Sequence, residues 1–573
     1  MILQSLVQLY EDLAEQGRIA RPGWASTKVQ WALSIDENGS LLQVIPLLEQ
    51  EEGKKPRPRQ MDLPAHAEHS SNIAPSFLCD NSSYFLGTDQ KGKPERSKRC
   101  FYSAAELHHI ILDNVDHSDA KAVLHFFDRW QPDQTAVHPA LKDNLEQVIS
   151  GGNLIFYHEG HFVHEEPVIR ASWQKFYQGQ ASEERICLVT GQLDQIAILH
   201  PAIKGIDGAK STGAKMVSFD KPAFCSYGKE QGRNAPVGQY ASFAYTAALN
   251  HLLADRDHVQ KIGDTTIVCW AAGAKPQYPA LSLAAIFGSA PPQGMDENAV
   301  RSAVRRLAEG LPCPELDLEP ERPFYILGLA PNAARLSVRF FYRDTFGKLM
   351  QNVNAHHTRM EIVRPANDPY ETIPLWAMLR ETVNPNSRDK AASPVLSGAA
   401  ARAIFTGSLY PAALLESTML RIRAERKITR GKAAIIKAYY LRNKNTQCPE
   451  EVLTVSLNET STNVPYNLGR LFALYEAAQE AANPGINSTI RDKYFNSAAS
   501  TPGTIFPVLT NLYQKHLRKL PMERRVYLEK QVTQIMGNLP EIFPVRLTLP
   551  EQGAFQLGYY HQTQKRFTKK EEQ

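Results

Sequence analysis

The sequence predicts an α+β mixed N-terminal portion with mostly antiparallel strands, followed by an all-α C-terminal helical bundle. Three observations predict it. Short apolar runs, several of them alternating with polar residues, fill the chain before about residue 396, whereas beyond it apolar residues recur every three and four positions. Gly, Asn and Pro punctuate both regimes where turns and helix ends are needed. At 573 residues the chain has room for roughly two to four domains, and we divide it into 1–260, 261–395 and 396–573.

Leu3, Leu6, Val7, Tyr10 and Leu13 recur at helical spacing, which predicts an opening amphipathic helix stopped by Gly17. Val29, Trp31, Leu33 and Ile35 alternate with polar neighbours, Asn38-Gly39 supplies a turn, and Leu42 and Val44 resume the alternation, the pattern of a hairpin. Residues 50 to 100, rich in Pro, Lys and Arg, read as long exposed loops around a short segment at 72–87, and such loops are uncommon unless they bind something. From about 150 to 345 the runs LIFY, MVSF, TTIVCW, FYILGLA and LSVRFFY predict strands, with a helix over Tyr240 to Leu253.

In the last portion Leu468, Leu471, Phe472 and Tyr475 share a helical face, and Leu509, Leu512, Tyr513, His516, Leu517 and Leu520 repeat the spacing. Asn483-Pro484-Gly485 ends one helix, Thr489 and Asp492 can cap the next, and Pro521 and Gly537 close later ones.

The net charge of +4 is too small to mark a nucleic-acid binder by itself, so its distribution matters more. Between Arg421 and Lys444 nine basic side chains face one acid, Glu425. Ile422, Ile428, Ile435, Ile436, Tyr439 and Tyr440 are interleaved with them, so one helical face can pack while the other presents cations. A solvated helix face is the alternative, but a single sign of charge repels itself unless an anion neutralises it. We therefore favour backbone contact with nucleic acid through Arg421, Arg423, Arg426, Lys427, Arg430 and Lys432. A shorter cluster contains Lys91, Lys93, Arg96, Lys98 and Arg99.

Seven scattered cysteines with no C-x-x-C argue against a disulfide framework and a thiolate zinc site. The acidic N-terminal segment and the absence of any long uncharged apolar stretch lead us to expect a cytoplasmic protein without a membrane span.

Gly208 to Lys215 looks like a phosphate loop, but Ala214 stands where the lysine belongs and no Ser or Thr follows Lys215, which argues against an NTPase. Lys210 and Ser211 fit a loop approaching a DNA phosphate or groove; a plain surface turn explains them as well. Ser71, Asn72 and Asn81 offer hydroxyls and amides able to read base edges, and as loop residues they serve equally as turn formers. His158, His161 and His164 miss the zincin spacing by one residue; Glu159-Gly160 reads as a hairpin turn that would project His158 and His161 to solvent. No hydrolase, transferase or two-metal nuclease pattern emerges, and we expect no enzyme activity, cofactor or metal.

Ser456-Leu457-Asn458, Leu468-Gly469-Arg470-Leu471-Phe472, Thr489 to Phe495 and Gly558-Tyr559-Tyr560-His561-Gln562 follow in order near the C-terminus, after Phe219 to Asn250 and Leu327 to Phe340. This series resembles the large subunit of the type I-C CRISPR surveillance complex, Cascade. The resemblance implies a non-catalytic subunit beside a crRNA-containing backbone, a crRNA 5'-end capping subunit, double-stranded target DNA and a recruited helicase-nuclease. It implies that the N-terminal part senses the protospacer-adjacent motif and helps open the duplex, while the helical part lies near the displaced strand. Ser71, Asn72 and Asn81 then become candidates for motif reading, and Lys91, Lys93, Lys210 and Ser211 for wedging or backbone contact. The family also implies a small subunit made from the same gene by an internal start, corresponding here to 450–573. Two rivals differ in class: a metal-dependent nuclease using His158, His161 and His164 with Glu165 or Glu166, and a purely architectural ribonucleoprotein subunit.

Overall fold

Local sequence accounts for most of the elements in the computed structural model of the chain, which describes residues 1–49, 57–65, 73–90, 92–179, 183–210, 212–368, 370–388 and 390–567. The opening helix Ile2–Glu15 buries Leu6, Leu9, Tyr10 and Leu13, and Gly17 follows it with a φ of 67°. The chain forms two compact units: Met1–Pro201 with Val217–Leu249, and Ala202–Met216 with Asn250–Gln573.

In the first unit the strands Leu41–Pro46, Trp31–Ile35, Leu154–His158 and Cys79–Asp80 lie side by side in that order, with His161–Phe162 hairpinned onto Leu154–His158. The turn at Asn38-Gly39 joins an antiparallel pair, and Trp31–Ile35 runs parallel to Leu154–His158. The sequence reads Val29 to Ile35 as one alternating strand. Instead the chain breaks at Gln30, and every residue of Trp31–Ile35 is buried. Trp31, Leu33 and Ile35 join the aromatic core beneath the helix Ser118–Arg129, while Ala32 enters a second apolar cluster with Met61, Leu63 and Ile155. A strand covered on both faces has no polar side to display.

The described residues between 50 and 100 carry more regular structure than their composition suggests. Arg57–Pro64 pairs antiparallel with Trp24–Val29, and Pro94 opens a helix running to Leu112. Proline at the first helical position removes only an amide hydrogen that the helix could not use. MVSF, by contrast, is not a strand; the other four runs are. Below the sheet, Phe85 stacks on Phe156 with centroids 4.9 Å apart, and Phe77 on Trp173 at 5.4 Å. His108 lies among these rings, with Nδ1 2.7 Å from the Ala104 carbonyl oxygen and Nε2 accepting the Leu78 N–H at 3.0 Å. Burial lowers its pKa to about 4.

The second unit begins with a four-stranded antiparallel sheet, Val259–Ile262, Thr265–Ala271, Pro323–Asn332 and Arg335–Thr345, in chain order. The described residues beyond 396 contain no strand. One apolar cluster nevertheless runs from Ile267 in the sheet through Tyr560 in the last helix.

At the centre of the bundle the helices Val464–Ala482 and Leu549–Lys565 cross with backbones in contact. A Cβ at Gly469 would overlap the Phe555 carbonyl oxygen, and a Cβ at Gly558 would overlap that of Tyr466. Around this crossing the four C-terminal segments that carry the resemblance come together. Arg470, 3% exposed, donates to Gln562 Oε1 at 3.2 Å and Asn467 Oδ1 at 2.9 Å, and reaches the carbonyls of Asn458 and Glu459. Glu476 accepts from the Tyr559 and Thr489 hydroxyls at 2.6 Å each, and Thr489 with Asp492 forms the expected capping box. The Tyr466 hydroxyl and His561 Nδ1 are hydrogen-bonded at 2.9 Å, and burial lowers the His561 pKa to about 4. These motifs are packing. Among the described residues no helix is long and apolar enough to cross a membrane.

Two outcomes follow. Gly469→Ala or Gly558→Ala should destabilise the full chain by about 3 kcal/mol through overpacking, whereas Gly398→Ala, at a helical position with no atom within 4 Å of the new Cβ, should be neutral or slightly stabilising. Urea unfolding of the three variants checks this. His108 and His561 are neutral in the folded protein, so the stability they protect is complete above the unfolded histidine pKa and declines as pH falls toward 4. Between pH 7 and pH 5 each should account for about 2 kcal/mol of lost stability, and His561→Gln should show a smaller loss than the parent in urea titrations at the two pH values.

Candidate nucleic-acid interface

Asn81 caps the short helix Ser82–Phe85: its Oδ1 accepts the Ser83 N–H at 3.0 Å and its Nδ2 donates to Asp80 Oδ1 at 3.1 Å. Asp80, 1% exposed, also accepts the Ser76 and Asn81 amides at 2.8 Å each. The carboxamide is thus occupied in organising its own turn, as short polar side chains before helices commonly are. Lys93 is exposed where Pro94–Leu112 begins; Arg96 and Arg99 are exposed in its first turns, and Lys98 pairs with Asp133 at 2.8 Å. Ser71, Asn72 and Lys91 lie outside the described residues.

In the second unit, Ile203 and Ala214 exchange backbone hydrogen bonds of 2.8 and 2.9 Å, closing a loop that carries exposed Lys210. Gly213 has a φ of 95°, and a Cβ there would stand 2.8 Å from the Ile203 carbonyl oxygen, so glycine is required. The loop is stitched to the sheet by Lys215 N–H to the Ala334 carbonyl at 2.9 Å and Leu336 N–H to the Lys215 carbonyl at 3.0 Å. No helix starts behind it, so the strand-to-helix frame of a phosphate loop is missing. Ser211 lies outside the described residues.

The basic stretch from Arg421 to Lys444 is two helices, Ala412–Glu425 and Arg430–Asn443, broken at Arg426, whose φ is 53°. Its side chains separate accordingly. Arg423, Arg426 and Lys427 are exposed, Arg423 also donating to Gln552 Oε1 at 2.8 Å, while Arg421 is half-buried 3.9 Å from Glu425. The second helix is buried nearly all round. Arg430 donates to the Tyr370 and Glu371 carbonyls at 2.5 and 2.6 Å and pairs with Asp368 at 3.1 Å. Lys432, 2% exposed, pairs with Glu425 and donates to the Lys427 carbonyl at 3.3 Å. Lys437 donates to the Arg359 carbonyl at 3.1 Å, and burial lowers its pKa to about 8. One helix with a packed face and a cationic face is therefore not what forms; Arg430 and Lys432 are spent on internal partners.

The sequence reading missed other cations. A cavity of about 380 Å³ in the second unit is lined by Arg301, Arg305, Arg364 and Arg430, with Glu361 and Glu371 on its wall. Arg301 is ion-paired with Glu371, whereas Arg305 and Arg364 are exposed. Arg301 and Arg305 stand one turn apart on the helix Glu297–Ala308, a spacing visible in the sequence. Arg364 and Arg430 join them only through tertiary folding.

The histidines behave differently from the hairpin expectation. Glu159 and Gly160, with φ of 44° and 90°, do form the turn, and His158 pairs with His161 across it. His158 is buried rather than solvent-facing, its Nδ1 2.6 Å from Asp119 Oδ1; His161 Nε2 lies 2.8 Å from Asp119 Oδ2. Asp119 is fully buried, and a buried carboxylate draws hydrogen-bond donors inward. His164 sits apart beside Phe162, its pKa lowered to about 4 by burial. Glu165 and Glu166 end the short turn after the hairpin.

A family model described as a CRISPR-associated protein, Cas_Csd1, matches residues 6–567. A search of curated proteins found no match.

The two roles of basic side chains are separable by substitution. Arg430→Ala should cost about 3 kcal/mol by stranding Asp368 and two carbonyls, while Lys427→Ala should change stability by less than about 0.5 kcal/mol; denaturant titration of both variants checks the contrast.

Proposed function

The chain belongs to the CRISPR-associated Cas_Csd1 family, and on that premise we propose that it is the non-catalytic large subunit of a type I-C Cascade complex. In this reading it acts in the cytoplasm beside crRNA-bound backbone subunits and a 5'-end capping subunit. It recognises the protospacer-adjacent motif in double-stranded DNA, promotes opening of the duplex and R-loop formation, supports the non-target strand, and helps recruit the helicase-nuclease. A small subunit equivalent to 450–573, made from the same gene, completes the assembly.

The observation that carries this reading is the family match over nearly the whole chain. The distribution of cations supports it, because backbone contacts need exposed positive groups with no fixed internal partner. Lys93 and the Lys210 loop are candidates for contact near the motif, with Ser71, Asn72, Asn81, Lys91 and Ser211 as their neighbours in sequence. Arg426 and Lys427 are the leading candidates for the displaced strand, joined by Arg305 and Arg364 at the cavity, while Arg423, hydrogen-bonded to Gln552, and Arg421, beside Glu425, are candidates that must give up an internal partner to join them. Arg430 and Lys432 act beneath them as scaffold. Motif readout by polar loops with phosphate clamping by cations divides specificity from affinity in the way RNA-guided recognition requires.

The test is binding of the reconstituted complex, with and without this chain, to duplexes bearing an intact or scrambled adjacent motif over a range of salt. Motif preference should appear only with the chain and persist as salt rises. Replacing Lys427 and Arg305 should lower affinity on both duplexes and flatten the salt slope by about one phosphate contact for each residue. Equal binding to both duplexes with the chain present would leave it an architectural subunit.

A further inference from the structure

We propose that the first unit holds a divalent transition-metal ion on His117, Asp119 and Glu166. The three residues each bring one ligand atom, and these atoms all lie within 4.8 Å of one another. His117 Nδ1 is 3.7 Å from Asp119 Oδ2, and His117 Nε2 is 3.6 Å from Glu166 Oε1. Nitrogen and oxygen ligands at roughly 2.0–2.2 Å from a metal stand roughly 3–3.5 Å from each other. The two measured distances use different nitrogens of one imidazole, so with a single ligating nitrogen the donor set is up to 4.8 Å across. Side-chain movements of about an ångström, at the partly exposed His117 and Glu166, bring the donors to coordination distance.

Chain architecture supplies the site. His117 and Asp119 occupy the start of the helix Ser118–Arg129, and Glu166 precedes the helix Pro167–Gln178. The hairpin between these helices places His158 and His161 behind Asp119, where both imidazoles hydrogen-bond its carboxylate at 2.6 and 2.8 Å. His161 Nε2 also faces Glu166 Oε2 at 3.9 Å. Hydrogen-bonded outer partners of this kind orient ligating carboxylates in metal centres. His158 is 1% exposed, and its Nε2 has no hydrogen-bond partner among the described residues, so its buried place is justified by the single bond to Asp119.

Charge points the same way. Asp119 is fully buried, and among the described residues neither it nor Glu166 is paired with a lysine or arginine; only imidazoles face them. A dication neutralises both carboxylates at once, and one imidazole with two carboxylates suits Zn²⁺ or Mn²⁺. His117 and Glu166 are 28% and 26% exposed, which leaves a path for the ion. His117 Nδ1 now accepts the Asp119 N–H in a long 3.3 Å helix cap. Ligation through either ring nitrogen gives up that bond: Nδ1 would spend its lone pair on the metal, or would carry the proton that Nε2 loses. The ion acts as a clamp, tying one helix start to the other and to the hairpin.

The test uses the purified full chain, dialysed with Zn²⁺ or Mn²⁺ and then against metal-free buffer, with metal content by mass spectrometry and thermal unfolding with and without chelator. About one retained ion per chain, and a melting temperature that falls on chelation, are expected. His117→Ala and Glu166→Gln should each weaken binding at least tenfold, as should His161→Ala through the outer shell. His109→Ala, at a half-buried histidine paired with Asp113 and Asp128, should not. Retention of neither ion, or equal retention in the parent, His117→Ala and Glu166→Gln, would overturn the site and leave the cluster held by protons alone.

Discussion

The second unit depends on the backbone-to-backbone crossing of Val464–Ala482 and Leu549–Lys565. Two glycines, Gly469 and Gly558, stand on opposite sides of the crossing, each against a carbonyl of the other helix. Such proximity leaves no room for water around polar groups nearby, so each must find a protein partner. Arg470, Glu476, Tyr559 and Gln562 find one another, and Asn458 and Thr489 are drawn in from the adjoining loops. The four C-terminal segments that carry the family resemblance are those that build this crossing.

The same logic divides the basic residues. Once the helices pack, a cation near the bundle either reaches carbonyls and carboxylates, as Arg430, Lys432 and Lys437 do, or stays in solvent, as Arg426 and Lys427 do. Burying an unpaired charge costs far more than a surface pair returns, so intermediate arrangements are scarce. Self-repulsion among nine clustered positive groups is relieved partly from within, by Glu425, Asp368 and main-chain oxygens. What remains outside is a smaller set of cations, and Arg305 and Arg364 extend it from elsewhere in the chain.

In the first unit Asp119 plays the corresponding part. A fully buried carboxylate at a helix start gathers His158 and His161 from a hairpin and brings His117 and Glu166 to its rim. The histidine spacing in the sequence draws attention to this hairpin, yet it points to His164, which packs elsewhere, and is silent about His117 and Asp119.

The sequence by itself determined the class of each region, because alternation, helical spacing and turn residues act over a few neighbouring positions. The Asn38-Gly39 and Glu159-Gly160 turns, the capping box at Thr489 and the helical ending after residue 396 are all local in this sense. Composition misled where local chemistry permits two outcomes: prolines at 58 and 94 suit a loop, but also a strand and a helix start. The double burial of Trp31–Ile35, the inward turn of Arg430 and Lys432, the gathering of four arginines around one cavity and of three imidazoles about two carboxylates were decided by tertiary structure. Each depends on which distant group arrives at hydrogen-bonding or van der Waals distance, and that is fixed only when separate elements exclude water between them.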